Sequence, residues 1–462
     1  MNRFHDYLSI LEKGIQSLDE WRSSFGDDLS NEKLPAGRDQ WLELLNLFTE
    51  RLKGNYPFHH PVYAGQMLKP PHPAAWIAYT LAATINPNNH ALDGGPPTSE
   101  MEKEVIQELS AMVGYDSAAL GHLTSGGTIA NLEALWIARE LHPGKAVAST
   151  QEAHYTHRRM CRVLNMKHIS IPVDGHGNPD MGFLEKQKTY IGTVVVTLGT
   201  TGTGRVEPLD KLIPWAHENN IRIHIDAAYG GFYKLLAENS VQTENDSSTY
   251  FDSGPWVLTG EADSIVIDPH KHGLQPYGCG SVLFKDASVG RFYKHDSPYT
   301  YFTSADLHLG EISLECSRAG ASAAALWFTL QMYPLSADGL GEILKDCRLA
   351  ALAFADGIRS LTDYRLYNDP DLDIVSYFPL TSEKKTSEIT QLSCRLLEKG
   401  MEADDDPVYL SLCKVSSSHF IELHPDYTAD SDEVVILRSV LMKPEHASFT
   451  DELLNRLEIL RK

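Results

Sequence analysis

The sequence predicts an α/β fold, with a mostly parallel central sheet in a large domain, a small C-terminal α+β domain and an N-terminal helical segment. Three short, near-continuous apolar runs, at 193–198, 221–225 and 264–268, read as strands buried on both faces. A helical stretch at 209–219, which contains Trp215, lies between two of them. Strand–helix–strand order is that of a parallel sheet with helices over both faces. Near residue 335 this alternation stops. A long helix at 339–361, an apolar run at 372–378, another helix and an apolar run at 434–441 follow. Elements in that order predict a separate α+β unit.

From the N-terminus, Leu8, Ile10, Leu11, Ile15 and Leu18 recur at helical spacing, as do Trp41, Leu42, Leu44, Leu45 and Phe48. Residues 1–60 are therefore expected to be helical, 61–335 to form the large domain and 336–462 the small one. A loop rich in Pro, Gly and His spans 56–73. Residues 146–149 predict a strand, and so do 278–284. Polar loops are expected at 238–254, and the acidic run at 402–406 reads as a solvated turn.

Composition narrows the function. Hydrophobic content of 42% and charged content of 22% over 462 residues fit an ordinary globular chain with a sizeable core. Its 40 basic and 62 acidic residues leave a net charge of −22, which repels phosphate backbones and anionic lipid. Nucleic acid and membrane are thus poor partners, and no run reaches the roughly 18 apolar residues of a membrane span. The N-terminus lacks the apolar core of a secretory signal. Six cysteines are scattered without a CxxC pair and read as reduced thiols in a cytoplasmic setting.

In a doubly wound sheet, ligands sit beyond the carboxyl ends of the strands. Here three predicted strands end in polar groups: Gly199 to Gly204 with Thr200, then Asp226 and Ala228, then Asp268, Pro269, His270 and Lys271. A lysine delivered to a buried strand end can act as a nucleophile toward carbonyl carbon, and Schiff-base lysines point to pyridoxal phosphate. A carboxylate such as Asp226 suits that cofactor, because its pyridine nitrogen must stay protonated. A turn aspartate at a strand end is the bland alternative.

Ser125, Gly126, Gly127 and Thr128 precede a helical stretch and can leave backbone N–H groups free for a phosphate. A plain helix entry explains them equally well when they are taken alone. They form neither a Walker loop nor GxGxxG, which argues against a nucleotide. His154 follows the 146–149 strand, where an imidazole can stack on a ring; an ordinary surface or core histidine is the alternative. His154 and His157 are three apart, but no HExxH or CxxC supports a metal, and none is expected.

Together these motifs resemble the group II pyridoxal-phosphate-dependent amino-acid decarboxylases, of the aspartate-aminotransferase fold type I. The matching segments are 124–132, 152–155, 197–203, 224–230 and 268–271, and the likeness covers about residues 55–330. Segments 86–89 and 268–277 look most like the bacterial tyrosine-decarboxylase-like branch. The resemblance implies that Lys271 carries the cofactor, Asp226 pairs with its pyridinium nitrogen and His154 stacks on the ring. It further implies that Ala228 packs on the other ring face. Gly126, Gly127, Thr128 and His270 hold the phosphate, and Thr200 lies near the ring hydroxyl or the substrate carboxylate. Arg438 matches an arginine that contacts the substrate carboxylate in some members; a salt bridge within the small domain is the equal alternative. The proton donor of the family is a tyrosine on a mobile loop, here at 293–310, with Tyr301 favoured over Tyr299.

Homodimers with intertwined N-terminal segments and sites at the interface are also implied, which suits residues 1–60. Asp268 departs from the asparagine found in many members, and a carboxylate beside a phosphate is unfavourable unless a cation or proton intervenes. The implied activity is decarboxylation of an L-amino acid, aromatic or acidic. Another reaction of this cofactor, a C–C lyase or transaminase, stays open, as does a scaffold without catalysis.

Overall fold

The computed structural model describes residues 3–26, 37–240, 251–294, 313–403 and 406–462. Tyr299, Tyr301 and most of the loop expected at 238–254 lie outside the described residues, as do Asp404 and Asp405. The central sheet has seven strands: β1 (Leu120–Thr124), β2 (Ala146–Thr150), β3 (His168–Ile171), β4 (Ile191–Thr197), β5 (Arg222–Asp226), β6 (Ser264–Ile267) and β7 (Gly280–Phe284). Their spatial order is β1-β7-β6-β5-β4-β2-β3. Only β7 runs antiparallel, between β1 and β6. The sheet is thus mostly parallel, as expected.

All seven residues of β4 are buried, because helices cover both faces. Val194, Val195 and Val196 are fully buried there, and each contributes roughly 1.5–3 kcal/mol relative to an exposed position. Helix Leu209–Glu218 lays Leu209, Leu212, Ile213 and Ala216 against the core, the i, i+3, i+4, i+7 spacing of one helical face. Helix Gly127–Leu141 packs Ala130, Ala134 and Ile137 onto Val266, Val282 and Phe284. The sequence reading named neither β1 nor β3. β1 is interrupted by Gly121 and His122, and β3 is four residues long with His168 at its start. Neither gives a clear apolar run.

A second, antiparallel sheet follows the long helix Leu340–Ser360. Its strands are β8 (Tyr364–Leu366), β9 (Ile374–Pro379), β10 (Ser411–Ser416) and β11 (Glu433–Val440), in the order β10-β11-β9-β8. Residues near Ala64 also join this unit: the Ala64 N–H donates to the Tyr409 carbonyl at 2.9 Å, and the Val440 N–H to the Ala64 carbonyl at 2.8 Å.

The N-terminal helices are Arg3–Ser23 and Arg38–Leu52. The first touches the rest of the fold through Phe4 against Trp76, ring centroids 6.3 Å apart, and through Arg22, which donates to the Thr84 carbonyl. The second buries no residue and exposes Trp41, Leu45 and Phe48. No described helix is long and apolar enough to cross a membrane.

Candidate active site

The carboxyl ends of β4, β5 and β6 lie side by side, with Thr197 opposite Asp226 and Asp226 opposite Val266. They open into a cavity of about 360 Å³. Gly126, Gly127, Thr128, His154, Asp226, Ala228, His270 and Lys271 all line it. Eight sequence-derived positions thus meet in one place, although they span residues 126–271. A larger groove of about 570 Å³ lies by β8. Two of its arginines, Arg359 and Arg365, are paired with Asp369 and Asp426, and no lysine lines it.

Asp226 is 5% exposed. One oxygen takes a 2.8 Å hydrogen bond from His157 Nε2, and the other accepts the Ala228 N–H at 3.2 Å. Burial alone would raise its pKa. The His157 hydrogen bond and the charges of His157, Lys271 and His224 together outweigh that and hold the carboxyl well below its usual range. Asp226 is therefore a fixed anion at the cavity floor. His157, weighed in sequence only as a metal ligand beside His154, is its orienting partner. That role was illegible because the two residues are 69 positions apart.

Lys271 follows the tight turn after β6, closed by its N–H to the Asp268 carbonyl at 2.9 Å. Its Nζ lies 3.5 Å from Asp268 Oδ2. His270 Nδ1 lies 2.8 Å from the Cys279 carbonyl. A carbonyl only accepts, so Nδ1 carries the proton. His154 Nδ1 faces the Thr156 hydroxyl at 2.7 Å and accepts the Thr156 N–H at 3.4 Å. Burial lowers the His154 pKa against the opposing pull of Asp226, which favours a neutral ring with its proton on Nε2.

The helix Gly127–Leu141 starts at Gly126, whose φ of +150° suits glycine, and no side chain caps it. Its first amides are thus available to an anion at the positive end of the helix dipole. A Cβ at Gly126 would lie 3.6 Å from the His270 ring, so His270 borders the same spot.

The structure does not bring Thr200 or Arg438 to the cavity wall. The Thr200 hydroxyl accepts the Arg205 N–H at 3.0 Å, inside its own turn, and Thr201 lines the cavity instead. Arg438, on β11, makes no salt bridge among the described residues. It donates to the Thr201 carbonyl at 2.5 Å, to Gln66 at 2.9 Å and to Ser411 at 3.0 Å. It braces the Thr201 turn from behind. Glu207 was not anticipated either. It is buried, bonded to the Thr150 hydroxyl, and accepts the Thr197 N–H at 2.7 Å.

Burial pushes the Glu207 carboxyl up to about 8, against those two hydrogen bonds and with Glu152 and Asp226 adding to the rise. Folded Glu207 stays protonated where an unfolded glutamate, at 4.5, has ionised. Its stabilising contribution is complete below that value and declines as pH rises toward about 8. Glu207→Gln keeps a neutral amide able to serve both partners. The variant should lose less melting temperature than wild type between these two pH values, measured by thermal unfolding; parallel curves would refute the assignment.

The residues present fit pyridoxal phosphate: an uncapped helix start for the phosphate, a fixed carboxylate for the ring nitrogen and an amine for the aldehyde. Comparison with known proteins agrees. The pyridoxal-dependent decarboxylase conserved domain matches residues 27–379. The L-tyrosine decarboxylase of Enterococcus faecium is 27% identical, over 92% of this chain and 86% of that one. A probable L-tyrosine/L-aspartate decarboxylase of Methanothermobacter thermautotrophicus is 30% identical, over 68% of this chain and 82% of that one. The crystal structure of Oryza sativa TDC with PLP and tryptamine shares the fold, with a TM-score of 0.76 at 17% identity over 99% of this chain and 98% of that one.

Proposed function

The chain belongs to the pyridoxal-dependent decarboxylases, and from that membership we propose that it converts an aromatic, tyrosine-like L-amino acid to the amine and CO2. Pyridoxal-phosphate-dependent amino-acid decarboxylation itself follows from the family and from relatives of that activity. The cofactor supplies an electron sink for the pair left behind when CO2 departs.

The chain's own residues do the rest. Lys271 would hold the cofactor covalently through Nζ, and the turn Gly126 to Thr128 would hold its phosphate, with His270 beside it. Asp226, fixed as an anion by His157, keeps a proton on the ring nitrogen. Ala228 and the neutral His154 would pack on the two faces of its ring, the alanine leaving room for a flat group. The Thr201 turn, braced by Arg438, closes the wall nearest the small sheet. Arg438 and Thr200 reach the substrate carboxylate in this scheme only if that turn shifts.

The observation that carries the aromatic reading is the cavity lining. Among the described residues it contains Tyr229 and Tyr277 but no arginine, and its cationic candidates, His154, His270 and Lys271, already serve the cofactor. A second carboxylate on the substrate would lack a counter-ion. The aspartate alternative rests on the name of the Methanothermobacter relative. A panel of the standard amino acids, scored for CO2 release with cofactor added, separates the two. Tyrosine or another aromatic substrate should lead; aspartate in first place would overturn the aromatic reading.

Tyr301, or else Tyr299, completes the scheme as proton donor to the carbon that has lost CO2. Tyr301→Phe should slow amine formation by about 10²-fold or more, or divert product to aldehyde; full amine yield at the normal rate would remove it from this role. We also assign a homodimer in the cytoplasm. Phe4, Trp21, Trp41 and Phe48 are all at least half exposed on the N-terminal helices, an apolar face suited to a second copy of the chain. A solution mass near twice 51.4 kDa is expected, and one of 51.4 kDa, that of a monomer, would contradict it.

A further inference from the structure

Asp268 is a buried carboxyl at the phosphate end of this cavity, and the inference drawn from it rests on the cofactor reading above. The residue is 3% exposed. It packs directly against the first turn of the cradle helix: a Cβ at Gly127 would sit 2.6 Å from Asp268 Oδ2. Oδ1 is buried without a hydrogen-bond partner among the described residues. Two cationic candidates share the other oxygen, Lys271 Nζ at 3.5 Å and His270 Nε2 at 3.6 Å. Among the described residues, the other titratable groups at this corner include Asp226 on β5, the Cys279 thiol ahead of β7, Tyr277, whose ring lies 5.1 Å from that of His270, and Glu315, which accepts the Ser125 N–H at 2.8 Å. None of these supplies positive charge.

A bound phosphate adds negative charge at the same helix start. Lys271 Nζ, 3.5 Å from Asp268 Oδ2, would also be drawn toward the cofactor's aldehyde, which weakens its pairing with that carboxylate. An ionised Asp268 would then face a phosphate with its Oδ1 still unpaired. A protonated one offers an O–H to a phosphate oxygen, which removes both the repulsion and the orphaned atom.

We propose that Asp268 takes up one proton when the cofactor binds and donates a hydrogen bond to its phosphate, so that cofactor retention weakens as pH rises. Burial already pushes this carboxyl above its ordinary range, against the pull of Lys271 and His270 and with Asp226 adding to the rise. Both changes on binding act in the same direction. A group whose pKa is higher in the loaded state couples binding to proton uptake, and affinity falls with pH between its two values.

The test is retention of cofactor by holoenzyme diluted to equilibrium from about pH 6 to about pH 9, read from the visible absorbance of the bound cofactor. Wild type is compared with Asp268→Asn, which is neutral and keeps a donor. The cofactor's own titration is common to both proteins, and the Lys271 titration, which Asp268 faces at 3.5 Å, is followed in each protein from the pH dependence of the bound-cofactor spectrum, so that its part in the ratio of dissociation constants is known. That ratio should climb by about tenfold per pH unit over part of the range, with the variant binding more tightly at the alkaline end. A flat ratio overturns the proposal. Should Asp268→Asn not fold, Asp268→Ser carries the same comparison. Failure of wild type to bind cofactor at any pH would overturn the cofactor reading itself, a separate result.

Discussion

Lys271→Ala should abolish the visible absorbance of the cofactor–lysine linkage and lower CO2 release by about 10⁴-fold, the upper end of what one positioned catalytic group supplies. Lys271 is the only lysine lining the described cavity. Its side chain is partly exposed, with Nζ 3.5 Å from Asp268 Oδ2. The cavity therefore has no second amine to replace it. The fold should survive, because the turn that carries Lys271 is closed by backbone hydrogen bonds. Circular dichroism unchanged with absorbance lost is the expected pair of results. A variant that retains the linkage absorbance would refute the assignment.

Asp226→Asn should cost about 10²–10⁴-fold in turnover while leaving that absorbance in place. Asparagine can still accept from His157 Nε2, so the variant removes charge and keeps shape. It separates the electronic role of Asp226 from its packing. The variant should also show a pH signature in stability. Folded Asp226 is held below its usual value while an unfolded aspartate titrates at 3.8, so its stabilising contribution is present above that value and is lost as pH falls through the folded pKa. Asp226→Asn should be less stable than wild type at neutral pH, and the gap should narrow in acid. Thermal unfolding across pH checks this, and a gap that widens in acid would contradict the assigned ionisation.

Much of the site was legible because the chemistry restricts residue type at strand ends. A lysine after a buried apolar run, an aspartate after another and a glycine pair before a helix are each unusual enough to mark. Their convergence follows from the parallel sheet that the same runs predict. What stayed hidden depends on turn geometry and on distant partners. Thr200 and Thr201 are adjacent and alike, and only the turn, in which Gly199 takes a φ of +96°, decides which faces the cavity. Arg438 stands on an expected strand, but its contact with the Thr201 carbonyl joins residues 237 positions apart. His157 and Glu207 are ordinary polar residues in sequence. Burial and partners drawn from other strands give them their roles. In the fold, the short or half-polar strands β1, β3, β8 and β10 were missed, while long apolar runs were found to within one or two residues.

We propose that this cavity removes CO2 from an amino acid with pyridoxal phosphate held by Lys271. The most direct test incubates purified holoenzyme with the best amino acid of the panel and measures CO2, amine and keto acid together. Equal amounts of CO2 and amine, with no keto acid and with both products lost in Lys271→Ala, are predicted. Keto acid formed without CO2 would contradict the account and make the chain a transaminase.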